Sequence, residues 1–155
     1  MVFKNEKELE RFIMKQSRQA LLKAQDKVYS IIKKFVRQFY NEYDPEVYQR
    51  TYQLLESLVQ SRIVSDGKGY KAEIYFDVGG LRYTTGARPS GEQVMKAAAQ
   101  GAHGAMGNAN GVDLLYVDSG AGTGVWNDPI MYLNANAINI LVDMLRAEGV
   151  PVKKG

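Results

Sequence analysis

The chain has 155 residues, 45% of them apolar and 24% charged, with a net charge of +3. That length anticipates one domain with a core of its own, and no run of about 18 uncharged apolar residues exists to make a membrane-spanning helix. The absence of cysteine excludes disulfides and thiolate metal sites and fits a reducing compartment. The charged start MVFKNEKELERF lacks the apolar core of a secretion signal.

The charge is divided unevenly. Residues 1–40 hold ten Lys/Arg against four Asp/Glu, and residues 41–155 hold ten against thirteen, so the first quarter carries +6 and the remainder −3. Such a split points to an acidic surface facing the N-terminal segment, either nucleic acid or the body of a neighbouring copy. A solvated helix face is the commoner cause of such a charge run.

From Asn5 to Tyr43 there is no Gly or Pro, and Leu9, Phe12, Ile13, Ala20, Ala24, Val28, Ile31, Ile32, Phe35 and Phe39 recur near the helical period. The spacing predicts a long amphipathic helix over 5–43. Asn5 with Glu8 forms an Asn-x-x-Glu cap, and Glu6, Glu8 and Glu10 suit the positive helix end. Such a helix is about 57 Å long, against a diameter of roughly 40 Å for a compact chain of this size. Met14, Leu21, Leu22, Tyr29, Val36 and Tyr40 add a second apolar flank, more than a thin sheet covers. Part of the helix is therefore expected to be buried by other subunits.

Asp44 and Pro45 stop that helix and suit the start of a short one over 45–58. Residues 59–78 then change to strand period and read as a hairpin turning at Asp66 and Gly67. Its alternation places Ala72, Ile74 and Phe76 on one face and Lys71, Glu73, Tyr75 and Asp77 on the other. A loop from Gly79 to Gly91 leads to an alanine-rich helix over 91–102. A glycine-rich excursion over 103–124 follows, with VDLLYVDS as one strand or hairpin arm inside it. Asp128 and Pro129 open a C-terminal helix over 130–148 that ends at Gly149, with Pro151 blocking its continuation. The class is α+β: a long N-terminal helix packed on a small antiparallel sheet, with additional short helices and a C-terminal helix, within a single domain 1–155.

Little in this order supports catalysis. GAGTG lacks the Gly-Lys-Ser/Thr of a phosphate loop and the third glycine of a dinucleotide turn. His103, the one histidine, has no cysteine partner and no HExxH context, although a lone imidazole could act as a base. Asp113, Asp118 and Asp128 could collect a hard cation but lack calcium-loop spacing, and turn formation or capping is their commoner duty. No nucleophile elbow occurs. The basic residues Lys4, Lys7, Arg11, Lys15, Arg18, Lys23, Lys27, Lys33, Lys34 and Arg37 drift around the helix instead of forming one seam, and no zinc-finger or aromatic RNA-binding motif accompanies them. No catalytic, cofactor-binding or metal-binding residue is assigned, and neither a cofactor nor a membrane partner is expected.

The stretch Tyr43-x-Pro45-x-x-Tyr48-x-Arg50-Thr51, followed by Leu54 and Ser57 and a strand with a Tyr/Phe-Asp ending, resembles the small neck proteins of tailed bacteriophages that infect Gram-positive bacteria. These form the head-tail joining or tail-completion family. The Gly101-Ala-His103-Gly104 segment, the Trp126-Asn-Asp128 element and the final Gly149-Val-Pro-Val-Lys are similar to that group as well. The excursion from Ala105 to Gly124 departs from it, being longer and richer in glycine.

The resemblance implies a non-enzymatic virion part made in the host cytoplasm. It would be a homo-oligomeric ring, of six or twelve copies, joining neighbouring connector and tail proteins around unspecifically contacted DNA. A basic helical DNA-associating protein, a tail terminator and a minor capsid protein are the alternatives. Tyr43, Asp44, Pro45, Tyr48, Arg50, Thr51 and Tyr52 are expected to form a structural joint, with Tyr48 and Tyr52 packing under the long helix and Arg50 held by Glu46 or Asp44. Subunit contacts are expected at Met14, Leu21, Leu22, Tyr29 and Tyr40, at Tyr116 in the excursion, and at Trp126.

Overall fold

The computed structural model describes residues 2–42, 52–81, 90–99, 106–107, 113–114 and 124–152. Chain contacts group into two compact units. The first comprises Met1–Tyr29, Gln60–Ile74 and Leu133–Gly155, and the second Ser30–Val59 and Tyr75–Tyr132.

The long helix forms as its periodicity requires: α1 runs Glu6–Asn41. Its start is fixed by the Asn5 side chain, whose Oδ1 accepts the Glu8 N–H at 2.9 Å. The Glu8 carboxylate reaches one residue further back than a reciprocal capping box would, accepting from the Lys4 N–H at 2.8 Å. In the first unit Ala20, Ala24 and Gln25 are the buried residues of α1. Leu9 and Ile13, assigned by period to the core stripe, are 38% and 37% exposed.

The buried glutamine explains how this half of α1 grips the strands. The strand pairing expected between residues 59 and 78 is present as β1 (Leu58–Gln60) beside β4 (Ile74–Phe76), and β2 (Val64–Ser65) beside β3 (Tyr70–Lys71). Val64 stands opposite Lys71 and Ser65 opposite Tyr70, antiparallel. The turn is built as the sequence implied, with Asp66 Oδ1 accepting the N–H groups of Lys68 at 3.0 Å and Gly69 at 2.8 Å and Gly67 at φ +85°. Ser61 N–H donates to the Glu73 carbonyl at 2.9 Å, and Glu73 N–H donates to Ser61 Oγ at 2.8 Å. The Gln25 amide donates to both the Ser61 and the Glu73 carbonyls at 3.0 Å, so one buried side chain spans both sides of the ladder.

The C-terminal helix α4 occupies Asn127–Ala147, three residues earlier at its start than the 130–148 expectation. The reason lies at Asp128, which is not the residue before the helix: its Oδ2 already accepts the Gly124 N–H at 2.9 Å from inside the first turn. Buried Pro129 follows within that turn, where its missing N–H costs nothing. At the other end Gly149 adopts φ +77°. Its N–H donates to the Arg146 carbonyl at 2.9 Å and the Val150 N–H to the Leu145 carbonyl at 3.0 Å, a Schellman closure with Val150 buried. In the first unit the Lys23 ammonium pairs with the Glu148 carboxylate.

The second unit holds most of the fully buried apolar residues. Ile32, Val36 and Phe39 of α1 are buried together with Leu54, Leu58, Leu81, Ala98, Val125 and Pro129. Val36 had been placed on the outer flank of the helix, yet it is 0% exposed. The i, i+4 line through Ile32 and Val36 faces inward here, and an apolar stripe broader than one row is what such a core demands.

The short helix expected over 45–58 is α2, Gln53–Glu56. Residues 45–51 lie outside the described residues, but Tyr52 stands at φ 54° and ψ 10°, a left-handed backbone that no α-helix can pass through. The helix ends early because the Ser57 hydroxyl captures the Leu54 carbonyl at 2.8 Å. Leu58 is already strand, and the Asp77 N–H closes on the Ser57 carbonyl at 2.7 Å.

Helix α3 covers Gly91–Ala99, and residues 100–102 of the expected 91–102 lie outside the described residues. A reciprocal cap starts it: Ser90 Oγ accepts the Gln93 N–H at 3.2 Å and Gln93 Oε1 accepts the Ser90 N–H at 2.8 Å. Gly91 is required by packing, because a Cβ there would sit 2.0 Å from the Val78 carbonyl oxygen in the 3-10 turn Val78–Gly80. Within the glycine-rich excursion β5 (Met106–Gly107) pairs antiparallel with β6 (Asp113–Leu114).

Candidate interaction surfaces

The second unit contains a cleft of about 390 Å³ lined by Tyr75 and Phe76 of β4, Val78, four residues of α3 (Glu92, Met95, Lys96 and Ala99), and Trp126. Each wall follows from a local rule. Strand alternation puts Phe76 on the inward face, one turn of spacing along α3 aligns Glu92, Met95, Lys96 and Ala99, and a backbone bond delivers Trp126. That bond runs from the Val125 N–H to the Ala98 carbonyl at 2.9 Å. Gly124 permits the approach, since a Cβ there would come within 2.5 Å of the Ala99 carbonyl oxygen. Phe76 and Trp126 meet edge to face with centroids 5.8 Å apart, which fixes the indole as one wall. The arrangement offers apolar contact and π surface, with one carboxylate and one ammonium from α3.

Of the expected joint, Tyr43, Asp44, Pro45, Tyr48, Arg50 and Thr51 lie outside the described residues. Tyr52 packs its ring against Tyr40 of the last turns of α1, with centroids 5.0 Å apart, and Tyr40 in turn meets Phe39 at 5.8 Å. Because Tyr52 is left-handed and precedes α2, it does not share a helical face with Tyr48 as the sequence had suggested. Among the expected interface residues, Met14, Leu21, Tyr29, Tyr40 and Trp126 are half-buried and Leu22 is 40% exposed. Tyr116 lies outside the described residues. Trp126 and Tyr40 are therefore held by partners within the chain, whereas Leu22 shares the exposed condition of Leu9 and Ile13.

His103 and Asp118 lie outside the described residues, Asp113 is a strand residue, and Asp128 holds the Gly124 N–H. Among the described residues no group of three or more carboxylates or imidazoles gathers to hold a metal ion, and no helix is long and apolar enough to cross a membrane. Among the described residues two titrations are displaced, both on the exposed hairpin. The N–H groups of Lys68 and Gly69 hold the Asp66 carboxyl below its ordinary 3.8. The Glu73 carboxylate, in hydrogen-bond contact, raises the Lys71 ammonium above 10.5. Both belong to the turn and ladder.

Sequence reasoning overlooked three positions that organise these surfaces. The Ser90/Gln93 cap was legible as Ser-x-x-Gln. Gln25 carried only a weak signal, a polar residue beside Ala24 in the apolar stripe. The uncharged stretch of α4 was readable as composition.

Fold and surfaces together define a small α+β protein with part-exposed apolar side chains on α1 and an apolar, aromatic-lined cleft in its second unit. The chain belongs to the YomN family, whose model matches residues 5–147, and that family is phage-associated, derived from SPbeta-like Bacillus phages. No curated protein and no solved structure matches the chain.

Proposed function

We propose that the chain is a structural virion protein of a tailed phage, a ring-forming neck or tail-completion component that joins the head connector to the tail. The observation that carries this reading is the exposed apolar surface of α1. Leu9, Ile13 and Leu22 lie open to solvent on a helix of 36 residues, roughly 54 Å long, in a chain of a phage-associated family. Leu9 and Ile13 share one side of the helix and Leu22 lies on the other; such exposed apolar positions serve as contact points in an assembly, and head-to-tail contacts that close by rotation make rings. Lys4, just before α1, and Lys7, Arg11, Lys15 and Arg18 on its N-terminal half are all exposed. They supply weak, unspecific attraction to DNA or to the acidic remainder of the next copy, and a conduit for DNA works best without tight phosphate binding.

The test is the solution mass of the purified protein by light scattering, with negative-stain imaging of the largest species. A closed ring of six or twelve copies is the expected result. A protein that stays monomeric at high concentration, alone and with connector and tail proteins added, refutes it. The exposed basic residues favour one second reading, a DNA-associating protein. It requires retention on DNA that falls steeply as salt is added, whereas the neck reading requires little retention at physiological salt.

A further inference from the structure

Between Pro129 and Val142 helix α4 carries no Asp, Glu, Lys or Arg over fourteen residues, four turns of helix. In α1 the longest uncharged run is five residues, Val28 to Ile32. One side of the uncharged stretch is nevertheless open to solvent: Met131 is 71% and Ile138 79% exposed, with Ala135 and Asn134 exposed as well and Val142 half-buried at its end. Met131, Ala135, Ile138 and Val142 recur at intervals of four, three and four, which sets them in one line along the helix. Leu141, 39% exposed, flanks the line.

We infer that this stripe is a two-fold docking surface for the α4 helix of a second copy. The absence of charge selects the occupant. A charged surface laid against α4 would lose water from its charges against a face that offers none to pair with them. The asparagine amides can meet only neutral polar groups at no such cost. Among the described residues the surface that satisfies this over four turns is α4 itself.

The spacing also suits an antiparallel pair. With Met131 opposite Val142 of the second copy, Ile138 falls opposite Ala135 of that copy, so the bulkiest exposed side chain meets the smallest on the line, and the two-fold axis repeats the match. At about 100 Å² for a fully exposed large apolar side chain, Met131, Ile138 and Leu141 present roughly 200 Å² per copy. Stable complexes bury roughly 800 Å² per partner. The helix pair by itself is therefore a reversible, concentration-dependent contact, stronger when other contacts hold the copies together.

The chain has no cysteine, so a single engineered thiol reports the contact directly. I138C treated with a short bismaleimide is expected to give a covalent dimer, and V64C, an exposed position on the hairpin (55% against 79% for Ile138), is expected to give only background once each rate is scaled to the thiol's reaction with a monofunctional maleimide. I138K should weaken the concentration-dependent rise in mass by at least tenfold while leaving the helical circular dichroism unchanged, and the melting curve as well at concentrations where the parent is monomeric, since residue 138 has little of its surface buried. Cross-linking of I138C no faster than V64C, or association unaltered in I138K, overturns the pairing. The neck reading fails separately: dimers through residue 138 without any larger assembly sustain the pairing and count against the ring. A ring that persists in I138K does the reverse.

Discussion

Gln25→Met removes the polar anchor between α1 and the strands of the first unit while keeping nearly the same side-chain volume. Gln25 is 5% exposed, and its amide donates to the carbonyls of Ser61 and Glu73, each at 3.0 Å. A neutral hydrogen bond is worth about 1 kcal/mol net, so two account for about 2 kcal/mol. The Glu73 carbonyl keeps the Ser61 N–H, but the Ser61 carbonyl has no other partner among the described residues, and its half-buried position adds about 1 kcal/mol for the unmet acceptor. The expected destabilisation is about 2–3 kcal/mol. At roughly 2–4 °C per kcal/mol for a chain of this size, the melting temperature falls by about 5–10 °C. Gln25→Ala should lose about 1 kcal/mol more through the space it leaves. Urea titrations followed by circular dichroism, at a fixed protein concentration because association shifts apparent stability, measure both. A Gln25→Met variant within about 0.5 kcal/mol of the parent would refute the reasoning, because it would show that α1 is held to the ladder by apolar packing alone.

Gly91→Ala should be costly, about 3 kcal/mol or more, because its Cβ would lie 2.0 Å from the Val78 carbonyl oxygen; the loss should appear as exposure of Trp126 by fluorescence. Gly149→Ala meets nothing within 4 Å and should cost only the left-handed backbone, about 1–2 kcal/mol by denaturant titration, with Gly149→Asn cheaper. Asp66 should titrate below 3.8 by NMR. Its folded pKa is depressed, so its contribution is present above pH 3.8 and lost as pH falls through the lower folded value. Asp66→Ala should flatten the acid limb of hairpin stability.

Legibility followed the range of the interaction. The long helix, its Asn5 cap, the Asp66–Gly67 turn and the Gly149 stop each depend on residues within a few positions of one another, so pattern alone located them. The alternation of residues 71–77 likewise matched burial residue for residue, because a strand with one covered face leaves no other choice. Tyr52 was missed because its left-handed backbone has no local cause in its own side chain; contact with Tyr40, twelve residues earlier, accompanies it. Of the cleft, only the helical spacing of its α3 wall and the inward face of Phe76 could be read in advance, since Trp126 arrives from beyond the excursion.

What the sequence determined by itself was periodicity and local punctuation: which residues can share a face, and where the long helix starts, the hairpin turns and the last helix stops. It could not assign those faces to core or solvent. Leu9 and Ile13 belong by period to the core stripe and Val36 to its flank, yet Val36 is sealed and the other two are 38% and 37% exposed. A period is a property of one helix, whereas burial depends on what the rest of the chain, or another chain, brings against it. The same separation holds for Gln25 and for α4. A polar residue in an apolar stripe becomes an anchor only where two strand carbonyls stand opposite it. An uncharged helix becomes informative only when the tertiary structure leaves it uncovered.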